Sequence, residues 1–421
     1  MKVVILAAGR SNRMKPVGDK NFLKFLGKPL ILWQLEMVKN AGFAEVVIVG
    51  HEGNVGALRD CVGAEATVVE EAAIGMSGAV LGAKEAVGDE GMLIFSSNDV
   101  VDESAFAAVK AAAEAGDAHS FILGKKVEKY FPGGYLEMDA EGMISHIVEK
   151  PGEGNEPSDM VNLVVHLHKD SGKVFEYLEK AESDSDDVYE VALAAMMKAG
   201  VKMQAVEYDD FWQPIKFPWH VQKVFKYLFK KSAKAVAESA QIAESAIVKG
   251  EVIIGENVKV MEGAVISGPC YIGDNCVVAN NALVRDSHVG SDSVVGFSTE
   301  VARSFLGEEV WTHSNYIGDS VIGNNVSFGA GTVTGNLRLD EVEIAGSGET
   351  KLGLICGNEV RAGINVSFMP GVRVGSGSFI SAGIVVGQDV EPRSFVRGSW
   401  ELKISENKST VGERSDLKKK L

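Results

Sequence analysis

Apolar positions through about residue 230 follow two alternating patterns. Short runs of consecutive apolar, often β-branched residues are separated by longer stretches in which apolar residues recur every three or four positions. The first pattern is typical of buried strands and the second of amphipathic helices. The predicted strands are Val3–Leu6, Glu45–Val49, Ala66–Val69, Met92–Phe95, Phe121–Leu123 and Asn162–Leu167, and the predicted helices are Leu30–Asn40, Gly78–Ala86 and Ala105–Ala115. This alternation predicts a Rossmann-like α/β domain, with a mostly parallel mixed sheet covered by helices on both faces.

From Ile242 onwards the pattern changes to a short repeat. An aliphatic residue followed by glycine recurs about every eighteen positions, at Ile254-Gly255, Ile272-Gly273, Val289-Gly290, Leu306-Gly307 and Ile322-Gly323. Within each step a small or apolar residue returns every sixth position, as in Val252, Val258, Ala264, Cys270, Cys276 and Ala282. One inward residue per short face, with Gly, Asn or Asp at the corners, is what a three-faced parallel β-helix requires. The second half therefore predicts such a solenoid.

The chain divides into two domains on these patterns. A chain of 421 residues exceeds what one core usually organises. We predict an α/β domain at 1–229, a linker at 230–241, a β-helix at 242–400 and a tail at 401–421. The amphipathic segment Phe217–Lys231 should pack against a domain core rather than form a ligand site.

Composition and charge exclude several classes of function. A net charge of −16 opposes nonspecific binding to nucleic acid, and no apolar run is long enough to span a bilayer. Met1 leads directly into a predicted strand rather than an export signal, which predicts a cytoplasmic protein. The four cysteines are scattered and form no metal-binding cluster with histidine.

The first predicted strand ends in a short, polar and basic loop. The chain runs from Leu6 to Gly9 and continues through Arg13 to Lys20. Backbone N–H groups in such a loop can surround phosphate oxygens, and two cations can neutralise a triphosphate. The loop has neither G-x-x-x-x-G-K-[ST] nor G-x-G-x-x-G. The main sequence evidence for a kinase, an ATPase or a dehydrogenase is therefore missing. A nucleotide is the expected ligand.

The same loop resembles the opening motif of the nucleotidyltransferases that couple sugar 1-phosphates to nucleoside triphosphates. The matching positions are Leu6-Ala7-Ala8-Gly9, Arg13-Met14, Lys20 and Gly27-Lys28-Pro29. The resemblance implies that Arg13 and Lys20 are catalytic and that Leu6, Ala7, Ala8 and Gly9 bind the nucleotide. Ser11-Asn12 departs from the family's usual Gly-Thr.

Further segments resemble the same family in order and spacing. The resemblance implies that Asp99 binds Mg²⁺, although Asn98 replaces the usual glycine before it. Gly75 and Ser77 fall in the segment that contacts the base. Glu149 and Lys150 match the Glu-Lys-Pro that reaches the sugar and its phosphate, and Asn162 stands where an asparagine binds the sugar, followed by Leu163-Val164 in place of a small pair.

One position disagrees with the family. Many relatives carry a second metal-binding carboxylate in a Trp-x-Asp segment, and Pro214 stands there in Trp212-Gln213-Pro214. Proline offers no side-chain ligand. Three alternatives stay open: Asp209 or Asp210 substitutes, Asp99 and the phosphates suffice, or the transferase is weakened.

The solenoid contains an interruption that resembles the acetyltransferase half of archaeal-type bifunctional amino-sugar-phosphate enzymes. The segments are Thr312-His313-Ser314-Asn315-Tyr316 and Gly331-Thr332-Val333-Thr334-Gly335-Asn336. The resemblance implies that His313 removes a proton from the amino sugar as it attacks acetyl-CoA, a role suited to imidazole. It further implies that Tyr316, Asn336 and Lys351 hold the substrate, that regular coils near Ala382 take the CoA arm, and that the chain forms a homotrimer. We expect Lys418–Lys420 to be a solvated end rather than a CoA site.

These features favour a bifunctional enzyme that acetylates an amino-sugar 1-phosphate and then transfers a nucleotidyl group to the product. A second hypothesis keeps only nucleotidyl transfer, with the β-helix as a trimerising scaffold. A third makes the chain a noncatalytic regulatory or exchange subunit. The sequence leaves UTP or dTTP, and the identity of the sugar phosphate, open.

Overall fold

The computed structural model describes residues 1–185, 187–398 and 403–408. Among these residues, no helix has both the length and the apolar composition needed to cross a membrane. The basic segment Lys418–Lys420 lies outside the described residues.

The first half of the chain alternates strands and helices. The strands are Lys2–Leu6, Lys24–Phe25, Lys28–Pro29, Val46–Gly50, Thr67–Glu70, Met92–Ser96, Asp99–Val101, Ser120–Lys126, Gly134–Met138, Ile144–Glu149, Met160–His168, Met203–Glu207 and Trp212–Pro214. The α-helices are Leu30–Asn40, Val55–Val62, Met76–Gly82, Lys84–Val87, Glu103–Ala115, Ser171–Leu178, Val188–Lys198 and Val221–Lys231.

A mixed sheet forms the centre of this half. Lys2–Leu6 lies between Val46–Gly50 and Met92–Ser96 and is parallel to both. The register pairs Leu6 with Val49 and with Ser96, so these three strands end at one edge of the sheet. Met160–His168 runs antiparallel to Met92–Ser96 and to Ser120–Lys126 on its other side. The edge at the carboxyl ends of parallel strands is where ligands bind in sheets of this kind.

The predicted strands and helices are present with small shifts at their ends. The predicted helix Gly78–Ala86 is divided into Met76–Gly82 and Lys84–Val87. The sequence pattern does not predict strand Met203–Glu207 or helices Val55–Val62, Ser171–Leu178 and Val188–Lys198. It also does not predict strands Gly134–Met138 and Ile144–Glu149, because exposed polar residues interrupt the apolar run of each.

Helix Val221–Lys231 packs its apolar face into a core that contains residues of both halves, as its amphipathic pattern predicts. Its buried side chains are Val221, Val224, Phe225, Leu228 and Phe229. Complete burial of a large apolar side chain contributes about 1.5–3 kcal/mol to the free energy of folding. The buried face therefore holds the helix firmly against this core.

The second half consists of short parallel strands stacked in columns. They are Gln241–Ile242, Ile247–Lys249, Val252–Ile254, Lys259–Val260, Val265–Ile272, Val277–Val278, Leu283–Val289, Val294–Val295, Glu300–Ala302, Phe305–Leu306, Tyr316–Gly318, Val321–Ile322, Ser327–Phe328, Val333–Thr334, Ile355–Cys356, Arg361–Ala362, Ser367–Phe368, Arg373–Val374, Phe379–Ile380, Val385–Val386 and Phe395–Val396. Parallel strands in such columns fit a β-helix.

The repeat seen in the sequence corresponds to one column. Ile254, Ile272, Val289, Leu306 and Ile322 pair successively in register, and Cys356 continues the column after an excursion that begins at Gly335. The hexad residues Val252, Val258, Ala264, Cys270, Cys276 and Ala282 are all buried. Asparagine and aspartate occupy left-handed corner positions, as at Asn275 and Asp292.

The two halves meet at the hairpin formed by Lys24–Phe25 and Lys28–Pro29. The ring of Phe25 lies 5.3 Å from that of Phe305, which stacks on His288 at 4.2 Å. The backbone N–H of Leu26 donates to His288 Nε2 at 3.1 Å, and Lys24 pairs with Glu308 at 2.9 Å. The hairpin that follows the Gly9 loop is therefore anchored directly on the stacked strands.

Candidate functional site

A cavity of about 450 Å³ opens at the carboxyl ends of the central strands. Its walls come from the ends of several strands and the loops that follow them. Of the predicted binding residues, those that line it are Leu6, Ala8, Gly9, Arg13, Gly75, Asp99, Glu149, Lys150 and Asn162. Side chains from sequence positions more than 150 residues apart thus converge on one space.

The loop after Gly9 is organised by a residue that sequence reasoning missed. Asp19 accepts hydrogen bonds from the Asn21 backbone at 3.0 Å and from Asn54 Nδ2 at 3.0 Å. Ser11 Oγ also donates to Asp19, at 3.2 Å. This arrangement places the buried Lys20 so that its Nζ lies 3.5 Å from where a Gly9 side chain would begin.

Burial lowers the pKa of Lys20, and the charges of Asp19 and Asp99 oppose that shift. The result is an ammonium group held beside the glycine of the loop, where a phosphate can approach closely. Arg13 is exposed at the cavity wall, with its guanidinium 5.7 Å from the centre of the Phe217 ring. Three predicted residues do not line the cavity. Ala7 is fully buried, Ser77 lies within helix Met76–Gly82, and Lys20 is buried behind Gly9.

Asp99 is fixed at the end of its strand by two side chains. Gln34 is buried and donates to the carbonyls of Ser97 and Asp99 at 3.1 and 2.9 Å. Trp212 Nε1 donates to Asp99 Oδ1 at 2.8 Å. Burial raises the pKa of Asp99, whereas the Trp212 hydrogen bond and the nearby Lys216 and Lys20 charges oppose the rise.

Asp99 fits a Mg²⁺ site only if phosphate oxygens of the substrate complete the coordination. Among the described residues no group of three His, Cys, Asp or Glu side chains could hold a metal ion. One carboxylate plus phosphate oxygens and waters is nevertheless a common Mg²⁺ environment. Oδ2 of Asp99 remains available for this role beside the Trp212 contact.

Pro214 lies opposite Asp99, in antiparallel register. The alternative that Asp209 or Asp210 replaces the missing acid is not supported, because neither lines the cavity. Asp210 instead accepts from Ser104 Oγ at 2.6 Å. Lys125 Nζ binds the backbone carbonyls of both acids at 2.7 and 2.9 Å.

The predicted sugar-binding residues line the same cavity, around Gly134. Glu149 and Lys150 form an ion pair at 3.0 Å, and Lys150 has φ of 47°. Asn162 Oδ1 lies 2.8 Å from His166 Nε2. A carboxylate and an amide side by side can bind sugar hydroxyls by accepting and donating hydrogen bonds.

Asn162 begins a buried chain of hydrogen bonds that sequence reasoning missed. The chain runs from His166 Nδ1 to Tyr189 OH at 2.9 Å, then to His168 Nε2 at 3.0 Å. It continues from His168 Nδ1 to Ser120 Oγ and from there to His119 Nδ1, both at 2.8 Å.

Burial keeps the histidines of this chain neutral. It lowers the pKa of His166 to about 3 and that of His168 well below its usual value. If His166 Nε2–H donates to Asn162 Oδ1, each later member has one donor and one acceptor in a consistent direction. The Asn162 amide nitrogen is then directed away from His166.

Two further side chains of the cavity were not predicted. Arg10 lines it and pairs with Glu71 at 2.7 Å, and Lys216 also lies in its wall. The only signal for Lys216 in the sequence is its position two residues after Pro214.

The residues expected to serve acetyl transfer form two groups on the stacked strands. His313 is exposed on the corner before strand Tyr316–Gly318. The backbone ladder places Ile364 and Ala382 on later turns of this corner, where the Gly383 N–H donates to the Ile364 carbonyl at 2.9 Å. The first group is therefore one column of corner residues.

The second group lies at the corner after the same strand. Asn336 Nδ2 donates to Tyr316 OH at 3.2 Å and also to Asp319. Asp319 is held by Arg303 through two contacts of 2.7 Å. Exposed Lys351 follows nearby, in a bridge with Leu337.

Comparison with known proteins gives the class of this site. Residues 2–215 match the nucleotidyl transferase family, and residues 231–322 match the GMPPB C-terminal domain. The solved structure of UDP-glucose pyrophosphorylase complexed with UDP-glucose aligns with a TM-score of 0.48 and 18% identity, over 55% of this chain and 99% of that one. The chain belongs to the nucleotidyl transferase family.

Two relatives extend over both halves. The bifunctional sugar-1-phosphate nucleotidylyltransferase/acetyltransferase of Sulfurisphaera tokodaii is 31% identical over 413 residues, covering 94% of this chain and 100% of the relative. The bifunctional protein GlmU of Methanocaldococcus jannaschii is 32% identical over 428 residues, covering 96% and 98%. Within its class, the chain is a member of this bifunctional family.

Proposed function

We propose that the chain transfers a nucleotidyl group from UTP or dTTP to a sugar 1-phosphate and releases pyrophosphate. The observation that carries the proposal is the convergence of Gly9, Asp99, Glu149 and Asn162 on one cavity at the carboxyl ends of the strands. Lys20 and Arg13 neutralise the phosphates, while Glu149 and Asn162 hold the sugar. Asp99 holds Mg²⁺, which when bound withdraws charge from the phosphate oxygens.

We also propose that the second half acetylates an amino-sugar 1-phosphate with acetyl-CoA before nucleotidyl transfer, giving a product such as UDP-N-acetylglucosamine. The extent of the bifunctional relatives, which covers both halves, supports this activity. His313 accepts the proton of the attacking amine, and Tyr316, Asn336 and Lys351 bind the substrate. Backbone groups along the corner column that contains Ala382 pair with the extended CoA arm.

We further propose that the second half is a left-handed hexapeptide-repeat β-helix and that the chain assembles through it as a homotrimer. Exposed apolar side chains on its outer faces, among them Phe379, Val385 and Phe395, support association. Light scattering coupled to gel filtration should give three times the mass of the chain. A monomeric mass would overturn this part of the proposal.

Two variants test the two activities against each other. Wild-type protein with Mg²⁺ should release pyrophosphate from UTP or dTTP with N-acetylglucosamine 1-phosphate or glucose 1-phosphate. It should also release free CoA from acetyl-CoA with glucosamine 1-phosphate. Asp99→Asn should lose the first activity and keep the second, and His313→Ala should do the reverse.

The other hypotheses have distinct outcomes in these assays. Pyrophosphate release without any CoA release would favour a nucleotidyltransferase with a scaffold domain. Wild-type protein with neither activity and no binding of UTP or dTTP would favour a noncatalytic subunit.

A further inference from the structure

Pro214 removes a carboxylate from the strand that faces Asp99, yet the chain returns to the cavity two residues later with a cation. The Ile215 N–H donates to the Asn98 carbonyl at 2.7 Å, which fixes the segment against the turn that carries Asp99. The Lys216 N–H donates to His220 Nδ1 at 3.2 Å. The backbone of Lys216 is therefore held on both sides.

The side chain of Lys216 is also held in place. Its Nζ lies 4.3 Å from the centre of the Phe131 ring and 3.5 Å from the Pro132 carbonyl oxygen. Contact with an aromatic face attracts an ammonium group and limits its freedom. The stem is half-buried, while the residue lines the cavity.

The charges that act on Lys216 come from both groups of predicted binding residues. Asp99 and Glu149 lie near enough to attract its ammonium group, and Arg13 and Lys150 near enough to repel it. Asp99 and Arg13 belong to the predicted metal and nucleotide residues, whereas Glu149 and Lys150 belong to the predicted sugar residues. A phosphate carried by the sugar must lie between these two groups to reach the nucleotide.

We propose that Lys216 binds the phosphate of the sugar 1-phosphate and adds positive charge beside Asp99, where Pro214 leaves the site with no second carboxylate. This inference rests on the proposed nucleotidyl transfer. Lysine suits the role because its ammonium is a compact point charge that needs no carboxylate ligand. In the product nucleotide sugar, the same group contacts the phosphate attached to the sugar.

Equilibrium binding in the presence of EDTA tests the proposal without turnover. The probes are UDP-N-acetylglucosamine and UDP-glucose, which carry the sugar phosphate, and UMP, which lacks it. Lys216→Gln keeps a donor for the Pro132 carbonyl but removes the charge. We expect it to bind the nucleotide sugars about 10- to 100-fold more weakly, as for the loss of one charge-assisted hydrogen bond, and to bind UMP as wild type does.

Matched variants separate charge from structure. Lys216→Arg should restore part of the affinity for nucleotide sugars. Lys129→Met removes an exposed lysine that precedes Phe131 by two residues but does not line the cavity, and should leave all three affinities unchanged. Thermal unfolding of each variant shows whether it is folded, and Lys216→Met provides a second neutral variant.

The outcomes distinguish this inference from the proposed function. An equal loss of UMP binding, or no loss for either nucleotide sugar, would overturn the role of Lys216 while pyrophosphate release by the wild type still supported transfer. Wild-type protein that binds neither nucleotide sugars nor UMP and releases no pyrophosphate would overturn both.

Discussion

At the scale of single residues, Gly9 and Lys20 lie side by side and together form a place where a phosphate can approach. The ammonium of Lys20 is held beside Gly9 by the loop that Asp19 organises, and only hydrogen occupies the space where a Gly9 side chain would begin. A phosphate can therefore reach both the loop backbone and the lysine. The motif predicts these two residues, but Asp19 becomes important only through contacts with Asn21 and Asn54.

Gly9→Ala should weaken nucleotide binding without destabilising the fold. The new Cβ would lie 3.5 Å from Lys20 Nζ and from Asn98 Oδ1, which is ordinary contact, and Gly9 is outside the left-handed region. We expect stability to change by less than about 0.5 kcal/mol. Its methyl group would occupy the space for phosphate oxygens, so calorimetry should show about tenfold weaker binding of UTP or dTTP.

Gly63→Ala is the matched control for this glycine. Gly63 follows helix Val55–Val62 with φ of 55°, away from the cavity. Its substitution should lower stability by about 1 kcal/mol and leave nucleotide affinity unchanged. Wild-type affinity in Gly9→Ala would contradict the close approach of phosphate.

At the scale of secondary-structure elements, strand Met160–His168 brings several functional side chains to one face of the sheet. Asn162, His166 and His168 are separated by even numbers of residues, so the pleat directs them to one face. Sequence reasoning found the strand and Asn162. It missed the hydrogen-bond chain because Tyr189 and Ser120 reach the histidines from other elements. The alternation His-x-His on a buried strand was the available signal.

Tyr189→Phe should lower stability and weaken sugar binding together. The substitution removes the hydroxyl that contacts His166 and His168, leaving two buried nitrogens without a partner. We expect a loss of about 2 kcal/mol in urea denaturation. Because Asn162 then loses its fixed orientation, KM for the sugar 1-phosphate should rise more than kcat falls.

Tyr177→Phe makes the same chemical change on helix Ser171–Leu178. Tyr177 is half-buried and lies outside the chain of hydrogen bonds. It should change stability by less than about 0.5 kcal/mol and leave KM unchanged. A KM for Tyr189→Phe equal to that of wild type would show that the chain does not position Asn162.

At the scale of the whole molecule, the sequence predicts the repeat of the second half but does not predict how the two halves pack against each other. The eighteen-residue step is local and appears in the structure as successive in-register pairs. The contact between the Leu26 hairpin and His288 joins residues 262 positions apart, and no pattern along the chain encodes such a pairing. Its chemistry nevertheless gives a measurable pH dependence.

The stability of this interface should fall in mild acid because burial disfavours protonation of His288 in the folded state. Burial lowers the pKa of His288 to about 4, whereas an unfolded histidine titrates near 6.5. Between these values the unfolded chain binds a proton that the folded chain excludes. The free energy of unfolding therefore falls as pH decreases through this window, by about 2 kcal/mol from pH 7.5 to pH 5 for this residue alone.

Glutamine can replace both hydrogen bonds of His288, since it can accept from the Leu26 N–H and donate to the Leu306 carbonyl. Urea denaturation of His288→Gln at pH 7.5 and pH 5 should therefore show a stability loss about 2 kcal/mol smaller than that of wild type. His146→Gln, which changes an exposed histidine, should retain the wild-type difference. Equal pH dependence in all three proteins would mean that His288 takes up a proton within the folded interface, and the packing of Phe305 against it would have to open at pH 5.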